Sequence, residues 1–297
     1  MRRIGTEGEG HAVRIVVTGA SGYIGQAVQV ALLAAGHEVV AVSRRGQAVP
    51  GAAGHALDVM RDPLDAVLAG AEAVIHLIGI IREDPAHGVT FKALHVTAAQ
   101  RMAEAARRAQ IARYVHMSAL GATSPGASRY FASKWEAEAV VREIVPTATI
   151  VRPSLVFGGG ADFFKTLGGL VRNPVVPVPG DGRTRFDPLY RGDLATTLAS
   201  MPMDPDAAGE AFEMGGPRRL TLDGMVDWMG SLRGRRTPLP KLHLPTAALR
   251  PLVRWGERLP GFPLTPDQLA MLSVDNITDD VRWHRWVPEP TAPGTDV

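Results

Sequence analysis

The segment Arg14-Ile15-Val16-Val17-Thr18-Gly19-Ala20-Ser21-Gly22-Tyr23-Ile24-Gly25 runs as an apolar strand, breaks into a Gly-x-x-Gly-x-x-Gly turn and opens a helix. Gly19 permits the tight turn after the strand. Gly22 keeps a Cβ out of the path of an approaching pyrophosphate, and Gly25 lets the new helix lie close to the sheet. Phosphates settle at such a helix N-terminus because its unpaired N–H groups and macrodipole favour negative charge. A helix from Tyr23 to Ala35, a stop at Gly36 and a second strand from His37 to Val42 complete the context. The pattern predicts a dinucleotide held by Gly19, Ser21, Gly22, Tyr23, Ile24 and Gly25.

The end of the second strand bears on which dinucleotide is bound. A carboxylate there would hold both ribose hydroxyls of NAD and repel a 2′-phosphate. This chain has Ser43-Arg44-Arg45 instead. Either arginine can fork onto a phosphate while Ser43 donates its hydroxyl, so NADP(H) is expected over NAD(H), which stays possible. Asp58, at the end of a short third strand with Val59 beside it, is expected to meet the adenine amino group, although it suits a plain turn equally.

Strands and helices then alternate. A nearly continuous apolar strand spans Ala73 to Ile78, a helix runs from about Gly88 to Gln110, and a strand follows from Arg113 to Ser118. A helix from Ser128 to Glu143 leads to a strand from Ala148 to Arg152 that stops at Pro153. This order predicts an α/β fold, a Rossmann doubly wound parallel sheet over residues 13–157, with Leu77, Ile78, Gly79 and Pro153 joining the cofactor site. Residues 1–12 read as a loose tail. Beyond Phe157 the composition shifts to Gly and Pro, which predicts a smaller substrate lobe over 158–297, with 186–214 returning to the core.

Tyr130 and Lys134 lie four residues apart on one helix face. A phenol is a poor base at neutral pH, but a neighbouring ammonium favours phenolate. The pair is therefore expected to move a proton at a substrate carbonyl or hydroxyl, with Lys134 also bonding the nicotinamide ribose. Other chemistries have no support. The chain lacks cysteine, its nine histidines show no ligand spacing, and its net charge of +2 is spread out, which argues against metal and nucleic acid. No apolar run approaches membrane-spanning length and the N-terminus lacks a signal pattern, so a cytoplasmic or peripheral location is expected.

The glycine turn, Tyr130-x-x-x-Lys134 and Arg152-Pro153-Ser154-Leu155-Val156-Phe157-Gly158 resemble the short-chain dehydrogenase/reductase superfamily, in its extended or atypical branch. More narrowly, His76 to Glu83, Ser118 to Ala122, Leu264-Thr265-Pro266-Asp267-Gln268-Leu269 and Asp275-Asn276 resemble the family of the NADPH-binding accessory subunit of respiratory complex I and its bacterial relatives. The resemblance implies Tyr130 as general acid/base, Lys134 as its activator and Ser118 as a third catalytic residue. It also implies that Arg185 meets a substrate diphosphate. Arg185 reads equally as a loop arginine paired to Asp187 or Asp193, and Asp193 as the N-cap of a helix from Leu194 to Ser200.

Two departures weigh against full activity. Extended-branch enzymes place a Ser or Thr where this chain has Ala119-Leu120, and His95 stands where an Asn usually holds a relay water. The expected function is a reductase acting on a small carbonyl, enone or quinone-like substrate. The alternatives are a catalytically silent NADPH-binding subunit, assembly factor or redox sensor of complex I or quinone metabolism, and a nucleotide-sugar epimerase or dehydratase. Arginines interleave with apolar residues from Leu249 to Leu259, which reads either as a core cap with snorkelling arginines or as a membrane or partner contact. The oligomeric state stays open.

Overall fold

The computed structural model describes residues 12–122, 128–257, 262 and 264–294. Its first half runs β1 (Arg14–Thr18), α1 (Tyr23–Ala34), β2 (Glu38–Ser43), β3 (Ala53–Ala56), α2 (Asp65–Leu68), β4 (Ala73–His76), a π-helical stretch (Lys92–Thr97) continuing into α3 (Ala98–Arg108), β5 (Arg113–Met117), α4 (Arg129–Ile144) and β6 (Thr149–Pro153). The second half adds β7 (Val156–Phe157), α5 (Asp162–Leu170), β8 (Val176–Pro179), β9 (Arg185–Phe186), β10 (Leu189–Tyr190) and α6 (Arg191–Ser200). It ends with β11 (Ala211–Met214), β12 (Leu220–Thr221), α7 (Leu222–Leu232), β13 (Lys241–Leu244), α8 (Thr246–Gly256) and α9 (Pro266–Met271).

Seven strands form one sheet in the order β11-β6-β5-β4-β1-β2-β3, and every pairing is parallel. Apolar runs make this possible: Ile15, Val16 and Val17 are all 0% exposed, as a strand covered on both faces requires. One face packs Val28 and Leu32 of α1 and Leu194 and Leu198 of α6. The other packs Ala99 and Met102 of α3 and Ala137 and Val141 of α4. The strand order reverses beside β1, where β4 and β2 flank it, so a crevice opens at the carboxyl ends of β1 and β4. From the second half, β11 pairs with β6, and a separate apolar core joins Phe157, Phe164 and Leu167 to Met225 and Val226.

Several elements differ from the sequence reading. The third strand ends at Ala56, before Asp58, because Ala53–Ala56 is an edge segment with all four residues exposed and no apolar pattern to mark it. Gly88 closes a short 3-10 turn at φ 72°, so the long helix starts only at Phe91. The helix after β10 begins at Arg191, and Asp193 does not cap it. Asp193 instead accepts from the Thr291 N–H at 2.6 Å and the Thr291 hydroxyl at 3.0 Å, fastening the C-terminal segment to α6.

The glycine turn separates backbone need from ligand need. Gly19 sits at φ 71°, a region that disfavours other residues. A Cβ on Gly25 would stand 2.3 Å from the Gly19 carbonyl oxygen and 2.8 Å from Ala20 Cα, whereas one on Gly22 meets only the Gly19 oxygen, at 3.1 Å. Gly25→Ala should therefore cost about 1–3 kcal/mol of stability by overpacking. Gly22→Val should melt near the wild-type temperature yet lose dinucleotide binding in calorimetry. Wild-type affinity in folded Gly22→Val would show that the turn serves the backbone alone.

Candidate functional site

The crevice collects most residues expected to meet a dinucleotide. Gly22 is the N-cap of α1, with no side-chain cap and no acidic residue in the first turn, so nothing competes with a phosphate for those N–H groups. Ser21 and Gly22 are exposed and Ile24 is partly buried. Tyr23 has a structural contact as well: its hydroxyl donates to the Gly158 carbonyl at 2.8 Å, and the Arg191 guanidinium lies 4.8 Å from its ring centre. Across the crevice Leu77 is buried, Ile78 partly so, and Gly79 is exposed. A Cβ on Gly79 would stand 3.1 Å from Lys134 Nζ, so this glycine brings the backbone against the ammonium.

At the end of β2, Arg44 and Arg45 are exposed, and neither makes an ion pair among the described residues. The Ser43 hydroxyl accepts from the Gln47 N–H at 2.8 Å and so organises the loop that carries them. Asp58 accepts from the Met60 N–H at 2.9 Å, the turn contact its sequence also allowed, and Val59 is buried. Pro153 ends β6, and its carbonyl accepts from the Leu120 N–H at 2.9 Å.

Tyr130 and Lys134 share the first turns of α4, which Ser128 caps by accepting from the Phe131 N–H at 3.1 Å. Lys134 is 3% exposed and donates to the Met117 carbonyl at 3.1 Å. The Tyr130 ring is held edge-on by His95 at 5.4 Å, Phe131 at 5.5 Å and Phe91 at 5.8 Å. Its hydroxyl has no hydrogen-bond partner among the described residues. The expected electrostatics are reversed here. Burial pushes the phenol up to about 12, and it pushes the Lys134 ammonium down to about 8 against the favourable charge of Glu138. Tyr130 is thus a neutral proton donor at neutral pH.

His95 proves to be an interior residue. It lies in the π-helical stretch at 1% exposure, accepts from the Ile80 N–H at Nε2 (3.0 Å) and contacts the Ser133 hydroxyl through Nδ1 (2.7 Å). Ser133 in turn donates to the Tyr130 carbonyl at 2.7 Å. Burial first, then the charge of Lys134, drives His76 down to about 3 and His95 to about 2, and burial also drives His116 far below its ordinary value. The ammonium therefore rests on a bed of neutral imidazoles. Ser118, immediately after β5, is 2% exposed and its hydroxyl has no partner among the described residues.

The motifs behind the family resemblance turn out to be fasteners. Arg129, one residue before Tyr130, donates to Asp267 from its backbone N–H (2.8 Å), Nε (3.1 Å) and Nη2 (2.7 Å), and pairs with Glu83 at 2.9 Å. Thr265 and Gln268 form a reciprocal capping box that sets Asp267 in the first turn of α9. Asn276 donates to the Leu120 carbonyl at 2.8 Å and accepts from the Ser154 hydroxyl at 2.7 Å, joining the ends of β5 and β6. Arg129, Asp267 and Asn276 carried no local chemical signal, since the partners they meet lie from about fifty to more than a hundred and fifty residues away in sequence.

Arg185 pairs with neither Asp187 nor Asp193. Its guanidinium is held by Asp275, with Nε 2.9 Å and Nη2 2.5 Å from Oδ2, while Asp187 is taken by Arg219. Among the described residues no group of His, Asp or Glu is arranged to hold a metal ion.

Residues 15–215 match the NAD dependent epimerase/dehydratase family. The chain is 29% identical over 304 residues to the mitochondrial NADH dehydrogenase [ubiquinone] 1 alpha subcomplex subunit 9 of Arabidopsis thaliana, covering 94% of this chain and 75% of the relative. It spans about half the length of the fungal and rodent counterparts it matches. It is also 35% identical over 200 residues to a ceramide reductase of Caulobacter vibrioides, covering 64% of this chain and 61% of that one. The UDP-glucuronic acid 4-epimerase of Bacillus cereus, solved with UDP-glucuronic acid and NAD, has the same fold, with a TM-score of 0.71 at 17% identity over 94% of this chain and 95% of that chain. An uncapped glycine turn at the switch point of a parallel sheet, facing a Tyr-x-x-x-Lys helix, agrees with the match over two thirds of the sequence: the chain belongs to the NAD dependent epimerase/dehydratase family.

Proposed function

We propose that the chain is an NADP(H)-dependent reductase of a carbonyl, enone or quinone-like substrate. The observation that carries this reading is Tyr130, a neutral phenol with no protein partner for its hydroxyl, on the same helix face as Lys134. A neutral phenol gives a proton, which is what an oxygen gaining negative charge during reduction needs. Bound NADPH would supply the hydride. The glycine turn would seat the pyrophosphate, and Lys134, with its Nζ against Gly79, would reach the nicotinamide ribose and return a proton to Tyr130. Arg44 and Arg45, exposed beyond β2, would grip the 2′-phosphate, with NAD(H) a weaker ligand. The ceramide reductase relative, and a more distant one from Zea mays named as a divinyl chlorophyllide a 8-vinyl-reductase, support reduction as the direction.

A silent NADPH-binding role is the second reading. Ala119 and Leu120 are buried apolar residues at the sheet end where a polarising hydroxyl would stand, and several of the relatives that the chain matches are respiratory-complex subunits. The epimerase reading is the weakest, since the guanidinium of Arg185 is occupied by Asp275.

Titration should show NADPH bound more tightly than NADH, and the double variant Arg44→Ala, Arg45→Ala should lose about 10- to 100-fold in NADPH affinity, the size of a charge-assisted hydrogen bond. Equal affinities in the wild type would contradict the NADP(H) assignment. Against a panel of quinones, enones and ketones, Tyr130→Phe should retain NADPH binding and lose about 10²-fold or more in turnover. Wild-type turnover should fall as pH rises through about 8, because Lys134 then gives up the proton it returns to Tyr130. NADPH that raises the melting temperature without any turnover above that of Tyr130→Phe would select the silent reading.

A further inference from the structure

Helix α8 has the wrong side turned to water. Its sequence is Thr246-Ala247-Ala248-Leu249-Arg250-Pro251-Leu252-Val253-Arg254-Trp255-Gly256, and only Val253 and Gly256 are buried. At about 100° per residue these two mark the inward side, with Leu249 next to them. Ala247, Ala248, Pro251, Leu252 and Trp255 occupy the outward sector, and Leu252 is 56% and Trp255 63% exposed. Arg250 and Arg254, one turn apart, border that sector, and neither makes an ion pair among the described residues. The strand that feeds the helix, β13, exposes Leu242 to 54%. Arg258 and Leu259, which continue the pattern in sequence, lie outside the described residues.

A core-capping helix with snorkelling arginines would bury its large apolar side chains and lay only the arginine stems over them. This helix does the reverse, and we infer that α8 is an interfacial anchor that lays Leu252 and Trp255 into an anionic lipid surface. A broad, flat indole suits the headgroup boundary, where its ring is buried and its N–H stays wet. Exposed guanidiniums on the border of the apolar sector match anionic headgroups in charge. At eleven residues the helix is too short to cross a bilayer, and no described helix is long and apolar enough to do so.

The anchor adjoins the site. Arg82, in the loop that follows Gly79, donates through Nη2 to the Glu257 carbonyl at 3.0 Å and through Nη1 to the Phe262 carbonyl at 2.9 Å. Glu257 is the residue immediately after α8. The loop on one wall of the crevice is therefore tied to the end of the anchoring helix, so a docked protein holds its site near the lipid, within reach of a substrate dissolved there. The docking argument stands on α8 alone and does not depend on which reaction the site performs.

The test is co-sedimentation of the full chain with vesicles of phosphatidylcholine, alone or with one quarter phosphatidylglycerol, at low and high salt. Wild type should bind the anionic vesicles about tenfold or more tightly than the neutral ones, with the difference shrinking at high salt. Leu252→Asp with Trp255→Asp should lose binding to both by about tenfold or more. Arg250→Glu with Arg254→Glu should abolish the preference for the anionic vesicles. Both substitutions fall on exposed positions, and unchanged melting curves would show that the variants are folded. Wild type left in the supernatant with anionic vesicles overturns the proposal, as does apolar-variant binding equal to wild type. A wild-type dimer in sedimentation velocity that the apolar variant dissociates, without vesicle binding, would assign the face to a second copy of the chain and overturn the lipid reading.

Discussion

The guanidinium of Arg129 joins three distant parts of the chain at the start of α4, the helix that carries Tyr130 and Lys134. It forks onto Asp267 of α9 and reaches Glu83 in the loop beyond β4, while its own backbone N–H also bonds Asp267. Surface ion pairs are generally worth about 0–1 kcal/mol, but this one has two guanidinium donors on Oδ2, a backbone N–H on Oδ1 and an Asp267 side chain only 8% exposed. Removing the guanidinium would strand a buried carboxylate, at a cost of about 1–3 kcal/mol. The larger consequence is geometric: the residue that follows Arg129 is Tyr130, so the fork sets where α4 starts and how the phenol is presented.

The second half of the molecule therefore does more than cover a substrate. Asp267 fixes the start of α4, Asn276 holds the ends of β5 and β6 together, and Arg219 with Asp187 packs the connecting loop beneath them. Behind the helix, burial sets the protonation states. The three buried histidines beside Lys134 are neutral and add no positive charge to the ammonium, and Glu138 partly offsets its desolvation. Glu138 is itself held by Arg152 at 2.7 Å. A dry, neutral surrounding raises the phenol and lowers the ammonium together, as the proposed proton donation by Tyr130 and proton return by Lys134 require.

What the sequence made legible were features whose cause is local. Gly19 and Gly25 announce the turn because the backbone there needs a positive φ at the first and excludes a Cβ at the second, and the valine and isoleucine runs of β1 and β4 announce a sheet buried on both faces. The four-residue edge strand at Ala53–Ala56 has no such pattern, because nothing covers it. The Tyr130 and Lys134 pair was visible by spacing, but the direction of its pKa shifts was not, since burial is a property of the packed layer. Arg185 illustrates the same limit. Its partner is Asp275, ninety residues on, and the nearer carboxylates Asp187 and Asp193 are each occupied elsewhere. His95 departs from a motif in the sequence, and nothing local shows that it lies in a π-helical stretch with its ring against Tyr130.

The central claim is that the C-terminal segment holds α4 in register through Asp267. Hydrogen exchange of peptides from residues 128–138, compared between wild type and Asp267→Ala, measures this without a known substrate. The account predicts exchange at least about tenfold faster across the start of α4 in the variant, with β1 and α1 unchanged, because the loss is a local opening. Equal protection of that segment in both proteins would contradict it.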